Sequence, residues 1–292
     1  MGLGAEEASK LAGSAEQPRD RFGTGDPALR DIGYFLKCAA KDLGWEYQAL
    51  RGGWLHELQK GGTKHFVIGY SFPHNSNTAA RVAMDKVATY TVLSAAGIDA
   101  VQHLLVLAKG RSRREIRRLC HDRLELAGLP AASYVVLKPV TGSNGLDVER
   151  AGTFRAAQKK LDLLLGRYDG VAAVSPYLEL RREVRVIVLD GRPLLVFEKI
   201  RSADWRHNLA FGAAPNLLSV HENEHVIAAA LDACEVIGIR LAAVDLVEAR
   251  DRSWRILEVN EGINLASRFA AQGAEYMRAA QISYHAIVRA LE

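Results

Sequence analysis

Ala242-Ala-Val-Asp245-Leu-Val and Arg255-Ile-Leu-Glu258-Val-Asn260-Glu261-Gly262, separated by the charged stretch Arg250-Asp251-Arg252-Ser253, decide how this chain folds. Each apolar run has strand composition and the polar stretch between them reads as a turn, so the two pair antiparallel. Side chains two apart on a strand share a face, which groups Glu258 with Asn260, and the hairpin brings Asp245 beside them. The three offer only oxygen donors. Hard divalent cations such as Mg²⁺ prefer such oxygens and complete their shell with water and nucleotide phosphate, so the pattern points to a metal–nucleotide site. A solvated hairpin face would use the same residue types. Here, however, apolar neighbours on both strands would partly bury the three groups and demand partners for them, and the metal reading is preferred.

The chain has 292 residues, 49% hydrophobic and 25% charged, ample for a sizeable core in one large or two to three small domains. Cys38, Cys120 and Cys234 lie far apart, with no paired zinc spacing and an odd count for disulfides; they read as buried small hydrophobes in a reducing compartment. No apolar run reaches the roughly 18 residues of a membrane span. The start of the chain, with Glu6, Glu7, Lys10 and Glu16, lacks the apolar centre of a signal peptide, so a cytoplasmic location is expected. The net charge of +4 is concentrated in Lys109-Gly-Arg111-Ser-Arg113-Arg114-Glu-Ile-Arg117-Arg118 and Arg181-Arg182. Four of those arginines fit one exposed side of a short helix ending near Leu119, with no interleaved aromatics for base stacking. No nucleic-acid partner is therefore expected.

Along the chain, residues 1–26 show little periodicity and read as a mobile arm, and residues 27–97 as an α/β region with a helix over Asp31–Leu43 and a strand over His65–Tyr70. The spacing predicts one helix over Thr78–Ala96, closed by Gly97. Strands are expected at Leu104–Leu107, Tyr134–Leu137, Val171–Val174, Val184–Leu189 and Leu194–Ile200, with helices at Thr153–Leu165 and His225–Ile237. Hairpins mixed with helices argue for α+β layers rather than a doubly wound parallel sheet.

A second informative stretch is Tyr134-Val-Val-Leu-Lys138-Pro-Val-Thr141-Gly142-Ser143-Asn144-Gly145. A strand delivers a lysine and a Gly/Ser/Thr-rich loop follows at once. Such a loop either cradles polyphosphate on unobstructed backbone N–H groups, with the lysine as a point charge, or is an ordinary hairpin turn. Lys138 precedes the glycines, so it is not a Walker loop.

Taken in order, these segments resemble the ATP-grasp carboxylate–amine ligases, in particular the branch holding the ribosomal-protein glutamate ligase, glutathione-synthetase-like enzymes and cyanophycin synthetase. The resemblance runs from about Asn75 to Ala290. It implies an ATP-grasp fold, with ATP clamped between a small lid (98–174) and a larger C-terminal antiparallel-sheet subdomain (175–292). Lys86 and Lys138 match the two nucleotide lysines, and Thr141, Gly142, Ser143 and Gly145 the phosphate-covering loop. Val174-Ser175-Pro176-Tyr177-Leu178 falls at the hinge that reads adenine, where the backbone of Tyr177 and Leu178 would do the reading. Glu183 matches a ribose contact and Arg185 a phosphate or acyl-phosphate contact. Arg206 matches a residue near the transferred phosphate, Asn208 one near substrate or phosphate, and Asp245, Glu258 and Asn260 the metal ligands. ATP and two Mg²⁺ or Mn²⁺ ions are implied, with small-molecule or peptide carboxylate and amine substrates, no membrane partner, and a homodimer left open. The chain departs from the family at Pro176, where a glutamate is usual, and at Glu261-Gly-Ile-Asn-Leu-Ala-Ser267, where Pro-Gly is common. The implied activity is amide-bond formation through an acyl phosphate; a kinase on the same fold, or a non-catalytic ATP-binding module, stands as the alternative.

Overall fold

A computed structural model describes residues 32–292 except 133, 143, 144, 201–204, 206–208, 210, 211 and 267. Its centre is a five-stranded antiparallel sheet in the order β10-β9-β8-β11-β12, formed by β8 (Leu180–Leu189), β9 (Arg192–Ile200), β10 (Ala214–Leu217), β11 (Leu241–Ala249) and β12 (Trp254–Asn260). Strand β11 is buried along its whole length, which is why Leu-Ala-Ala-Val-Asp-Leu-Val-Glu-Ala reads as an almost unbroken apolar run. One face of this sheet, carrying Val184, Val186, Val188, Val244, Leu246 and Ile256, packs on helix α6 (Glu224–Ile237), α2 (Asn77–Met84) and α3 (Lys86–Ala95). On the other face Ile187, Phe197, Leu241 and Ala243 join a second core with α1 (Ile32–Leu43) and α7 (Ala274–Arg289).

Two smaller sheets complete the structure. Strands β1 (Glu46–Leu50), β2 (Leu55–Lys60) and β3 (Thr63–Ile68) form an antiparallel meander whose Leu58 and Val67 enter the core with α1 and α7. Strands β4 (Leu104–Leu107), β5 (Val135–Lys138), β6 (Glu149–Ala151) and β7 (Val171–Pro176) form a sheet in the order β4-β7-β5-β6. It is covered on one face by α4 (Arg113–Leu126) and α5 (Phe154–Arg167) around a core of its own. The hairpin through residues 250–253, the strand at 104–107 and the α+β layering all match the sequence reading.

The structure corrects that reading in several places. The helix expected over Thr78–Ala96 is two helices, α2 and α3, broken at Asp85, whose backbone is extended (φ −98°, ψ 109°). An aspartate in this position competes for backbone donors. Its Oδ1 accepts from the amides of Val87 and Ala88 at 2.9 and 3.0 Å, so it caps the second helix. Helix α4 runs on past Leu119 to Leu126, since Cys120 and Leu124 continue its buried stripe; it starts at a capping box between Ser112 and Glu115. Strands β1 and β2 and the C-terminal helix α7 were not anticipated: Glu-Tyr-Gln-Ala-Leu and Leu-His-Glu-Leu-Gln-Lys are too polar to read as strands alone. Cys38, Cys120 and Cys234 are unpaired thiols. No helix among the described residues is long and apolar enough to cross a membrane.

Asp85→Ala should lower stability by about 1 kcal/mol, the usual worth of a helix N-cap, read as a shift in the urea midpoint. Asp85→Asn should recover most of that loss, and an unshifted midpoint in the alanine variant would show that the cap is dispensable.

Candidate active site

Strand pairing sets the site. Asp245 on β11 lies opposite Arg185 on β8 and opposite Glu258 on β12, giving a row of three charged side chains across three strands. Because alternate residues share a face, Glu183 and Lys199 fall on this same face beside the row. The face that is apolar at the Leu241 end is thus charged at the Asp245 end.

Asp245 has no exposed surface. Arg185 grips it with a two-pronged contact, Nε to Oδ1 at 2.7 Å and Nη2 to Oδ2 at 2.6 Å, and Lys199 Nζ adds a third contact to Oδ2 at 2.9 Å. Burial by itself pushes the Asp245 carboxyl up, but Arg185 and Lys199 outweigh it and hold the group well below the usual carboxylate range. Lys199 Nζ also donates to Glu183 Oε1 at 2.6 Å. Burial pushes Glu183 up to about 7 against the pull of Lys199. The Glu183 side chain, matched by resemblance to a ribose contact, is buried and ion-paired with Lys199.

Glu258 is more open, with 28% of its side chain exposed. Its Oε1 accepts from Asn260 Nδ2 at 3.2 Å, and its Oε2 lies 3.9 Å from Lys86 Nζ. Lys86 stands at the start of α3 because of the Asp85 break. Its amide donates to Val140 O at 3.0 Å and its Nζ to Gly142 O at 3.0 Å, which ties the helix to the glycine loop of the small sheet. Lys138, at the end of β5, is buried on the face of the small sheet opposite its helices. Burial, then the neighbouring charge of Lys86, brings its pKa down to about 8, with Glu258 opposing. Two lysines from two elements and a carboxylate from a third therefore converge, although the sequence places them 52 to 172 residues apart.

Gly142 and Gly145 take φ of +124° and +67°, a region glycine enters without strain, and Thr141 is exposed between β5 and β6. Tyr177 and Leu178, half-buried, join β7 of the small sheet to β8 of the large one. The Tyr177 ring stands 5.7 Å from Tyr134 and 6.1 Å from Trp205, and the Arg150 guanidinium lies over all three rings. Ser143, Arg206 and Asn208 lie outside the described residues.

Two groups went unnoticed in the sequence. Lys199 is one, and its signal was a charge inside the apolar run Leu194–Ile200. His103 is the other. Its Nε2 faces the carbonyl of Leu257 at 3.2 Å and so carries the hydrogen, leaving Nδ1 to accept from the Ser175 hydroxyl at 2.6 Å. Burial, then Lys138, keeps this imidazole well below its ordinary pKa, hence neutral. His103 thereby joins β7 to the strand that carries Glu258 and Asn260. The loop after Asn260 is tied down as well, with Ser71 Oγ donating to Glu261 Oε2 at 2.7 Å and Ile263 N to Tyr70 O at 2.9 Å.

Against known proteins, the profile of the RimK-like ATP-grasp domain matches residues 83–276. The chain is similar to a probable alpha-L-glutamate ligase of Pectobacterium carotovorum subsp. carotovorum, 26% identical over 217 residues, covering 72% of this chain and 67% of that protein. It is also similar to the ribosomal protein bS6–L-glutamate ligase of Escherichia fergusonii, 27% identical over 199 residues, covering 68% of this chain and 62% of that one. The chain thus spans about two thirds of the length of these curated relatives. Among solved structures it resembles in fold a D-alanine–D-alanine ligase from Bacillus anthracis complexed with ATP, at a TM-score of 0.54 and 19% identity, covering 74% of this chain and 70% of that one. With the domain match extending over well above half of its residues, the chain belongs to the RimK-like ATP-grasp family.

Proposed function

We propose that this protein is an ATP-dependent carboxylate–amine ligase that activates a carboxylate by phosphorylation and joins it to an amine. The observation that carries the reading is a convergence of charged groups. Glu258, at one end of the row Arg185–Asp245–Glu258 on the large sheet, lies by Lys86 and Lys138, next to a glycine-bearing loop. Family membership and the glutamate-ligase names of the relatives support it. Those names also make glutamate and a polypeptide the substrate pair to try first.

The donor set suits a hard divalent cation in kind: Glu258 is partly exposed, and the Asn260 amide, by donating its nitrogen to Glu258, leaves its oxygen for another partner. Asp245 supplies the same chemistry once its cations yield. Glu258, Asn260 and Asp245 would hold Mg²⁺ or Mn²⁺, two ions in this proposal, which would offset charge on the transferring phosphoryl group. In the reaction, a carboxylate oxygen attacks the γ-phosphorus of ATP and ADP leaves with the bridging electrons. The amine then attacks the acyl carbon and inorganic phosphate departs, leaving an amide. The protein's share is positioning and charge neutralisation. Lys86, Lys138 and Arg185 place positive charge around the phosphates, the loop at Thr141, Gly142, Ser143 and Gly145 covers them, and Arg206 and Asn208 act at the transferred group. Tyr177 and Leu178 present backbone to the base, with Pro176 donating no N–H there.

ADP release with Mg²⁺-ATP, measured with glutamate, peptides and their pairs, should require a donor and an acceptor together and yield a product of condensation mass. A stable product of added phosphate mass without an amine would instead identify a kinase. Lys138→Ala and Glu258→Ala should each slow ADP release by about 100-fold or more, in line with loss of one charge-stabilising group; unchanged turnover in both would sink the proposal.

Lys138 makes a pH signature. With its pKa near 8 in the nucleotide-free protein, a bound polyphosphate favours the charged form, so binding at pH 8 should take up roughly half a proton and binding at pH 6 almost none. Affinity should correspondingly fall as pH rises through 8. Calorimetry in buffers of different ionisation enthalpy reads the uptake, and its persistence in Lys138→Met would refute the assignment.

A further inference from the structure

Lys199 is enclosed at the heart of the site, with 5% of its side chain exposed and its Nζ 2.6 Å from Glu183 Oε1 and 2.9 Å from Asp245 Oδ2. Together with the two prongs of Arg185, it fills three of the roughly four lone-pair positions that the Asp245 carboxylate offers. The two cations are not equivalent. Arg185 is a rigid fork that fixes the orientation of the carboxylate, whereas the ammonium of Lys199 is a point charge on a flexible stem that already touches a second acceptor, Glu183. Lys199 can leave Asp245 without losing its partner Glu183, whereas both prongs of Arg185 are spent on Asp245.

The charge inventory adds a second line. Three carboxylates, Glu183, Asp245 and Glu258, stand among four cations, Lys86, Lys138, Arg185 and Lys199. A divalent ion entering alone would meet a site whose negative charge is already matched. Triphosphate brings the negative charge that is missing, and it also gives the displaced ammonium somewhere to go.

We propose that Lys199 is the internal counter-ion of the site: without nucleotide its ammonium occupies the place on Asp245 that a divalent cation takes, and it yields that carboxylate when bound phosphate arrives. Metal and nucleotide then bind as a coupled pair, and Lys199 sets the strength of the coupling. The inference rests on the metal–nucleotide reading of the site given above.

The test uses the full chain with Mn²⁺ as the probe, free Mn²⁺ being followed by electron paramagnetic resonance with and without a non-hydrolysable ATP analogue, corrected for Mn²⁺ held by free analogue. In the unmodified protein the analogue should tighten Mn²⁺ binding by about tenfold or more, the ordinary scale of coupling between two sites. Lys199→Met should bind Mn²⁺ without nucleotide nearly as tightly as with it. Lys199→Met combined with Glu183→Gln removes one charge of each sign, which keeps the test open should the single variant fail to fold, and it should also bind Mn²⁺ without nucleotide. The proposal is overturned if the folded charge-balanced variant keeps the nucleotide dependence of the unmodified protein, or if the unmodified protein binds Mn²⁺ equally with and without the analogue. Absence of analogue binding to the unmodified protein at any Mn²⁺ concentration would overturn the nucleotide-site reading itself, and the inference with it.

Discussion

A carboxylate with no exposed surface, Asp245, sits on β11 between β8 and β12 of the large sheet, and the surrounding structure is arranged to keep it charged. Burying an unpaired carboxylate is costly enough that the group would normally take up a proton. Here three short contacts from Arg185 and Lys199 reverse that tendency. Each partner has a fixed address: Arg185 must come from the strand on one side of β11, and Lys199 from the next strand out. The strand order β9-β8-β11-β12 is therefore also the order in which charge is assembled, and the apolar half of the same face, at Ile187, Phe197 and Leu241, is what holds the strands in that order.

Opposite this compensated centre stands an arrangement that is not compensated. Lys86 and Lys138 both stand near Glu258, and burial first, then the charge of Lys86, brings the Lys138 pKa down. Like charges held together by backbone geometry are relieved by an anion, so the strain lies where phosphate is expected to bind. The break at Asp85 contributes directly: an unbroken helix would have carried Lys86 along mid-helix, whereas the cap sets its backbone N–H free to meet Val140.

The parts of this design that were legible in the sequence are those written within one hairpin or one short segment. Asp245, Glu258 and Asn260 could be placed together because a turn of a few residues joins their strands, and Lys138 could be paired with the following glycines because they are contiguous. Lys199 was not legible, since its partners Glu183 and Asp245 lie 16 and 46 residues away on strands whose neighbours only the sheet order reveals. The same holds for His103, which acts on Ser175 and Leu257. Strands β1 and β2 escaped because their outward faces are polar and their inward faces are completed by α1 and α7, elements far off in the chain. The Asp85 break escaped because apolar periodicity continues through it while the cap that interrupts it is a single side chain.

The register of β12 shows how one local irregularity reconciles the two faces of the sheet. In plain alternation Trp254, Ile256, Glu258 and Asn260 would all share a face, which would set two large apolar side chains among the charged groups. The structure pairs Glu258 with Asp245 but Ile256 with Leu246, so Leu257 is an extra residue, a bulge that switches the strand between faces. Ile256 thereby reaches the core with α6, and Glu258 and Asn260 remain with Asp245. The bulge also frees backbone groups for other partners: the Leu257 carbonyl accepts from His103, while Ile256 exchanges bonds with Asp99 and Val101. The chain entering the small sheet is thus docked on the one irregular point of the strand that bears Glu258 and Asn260.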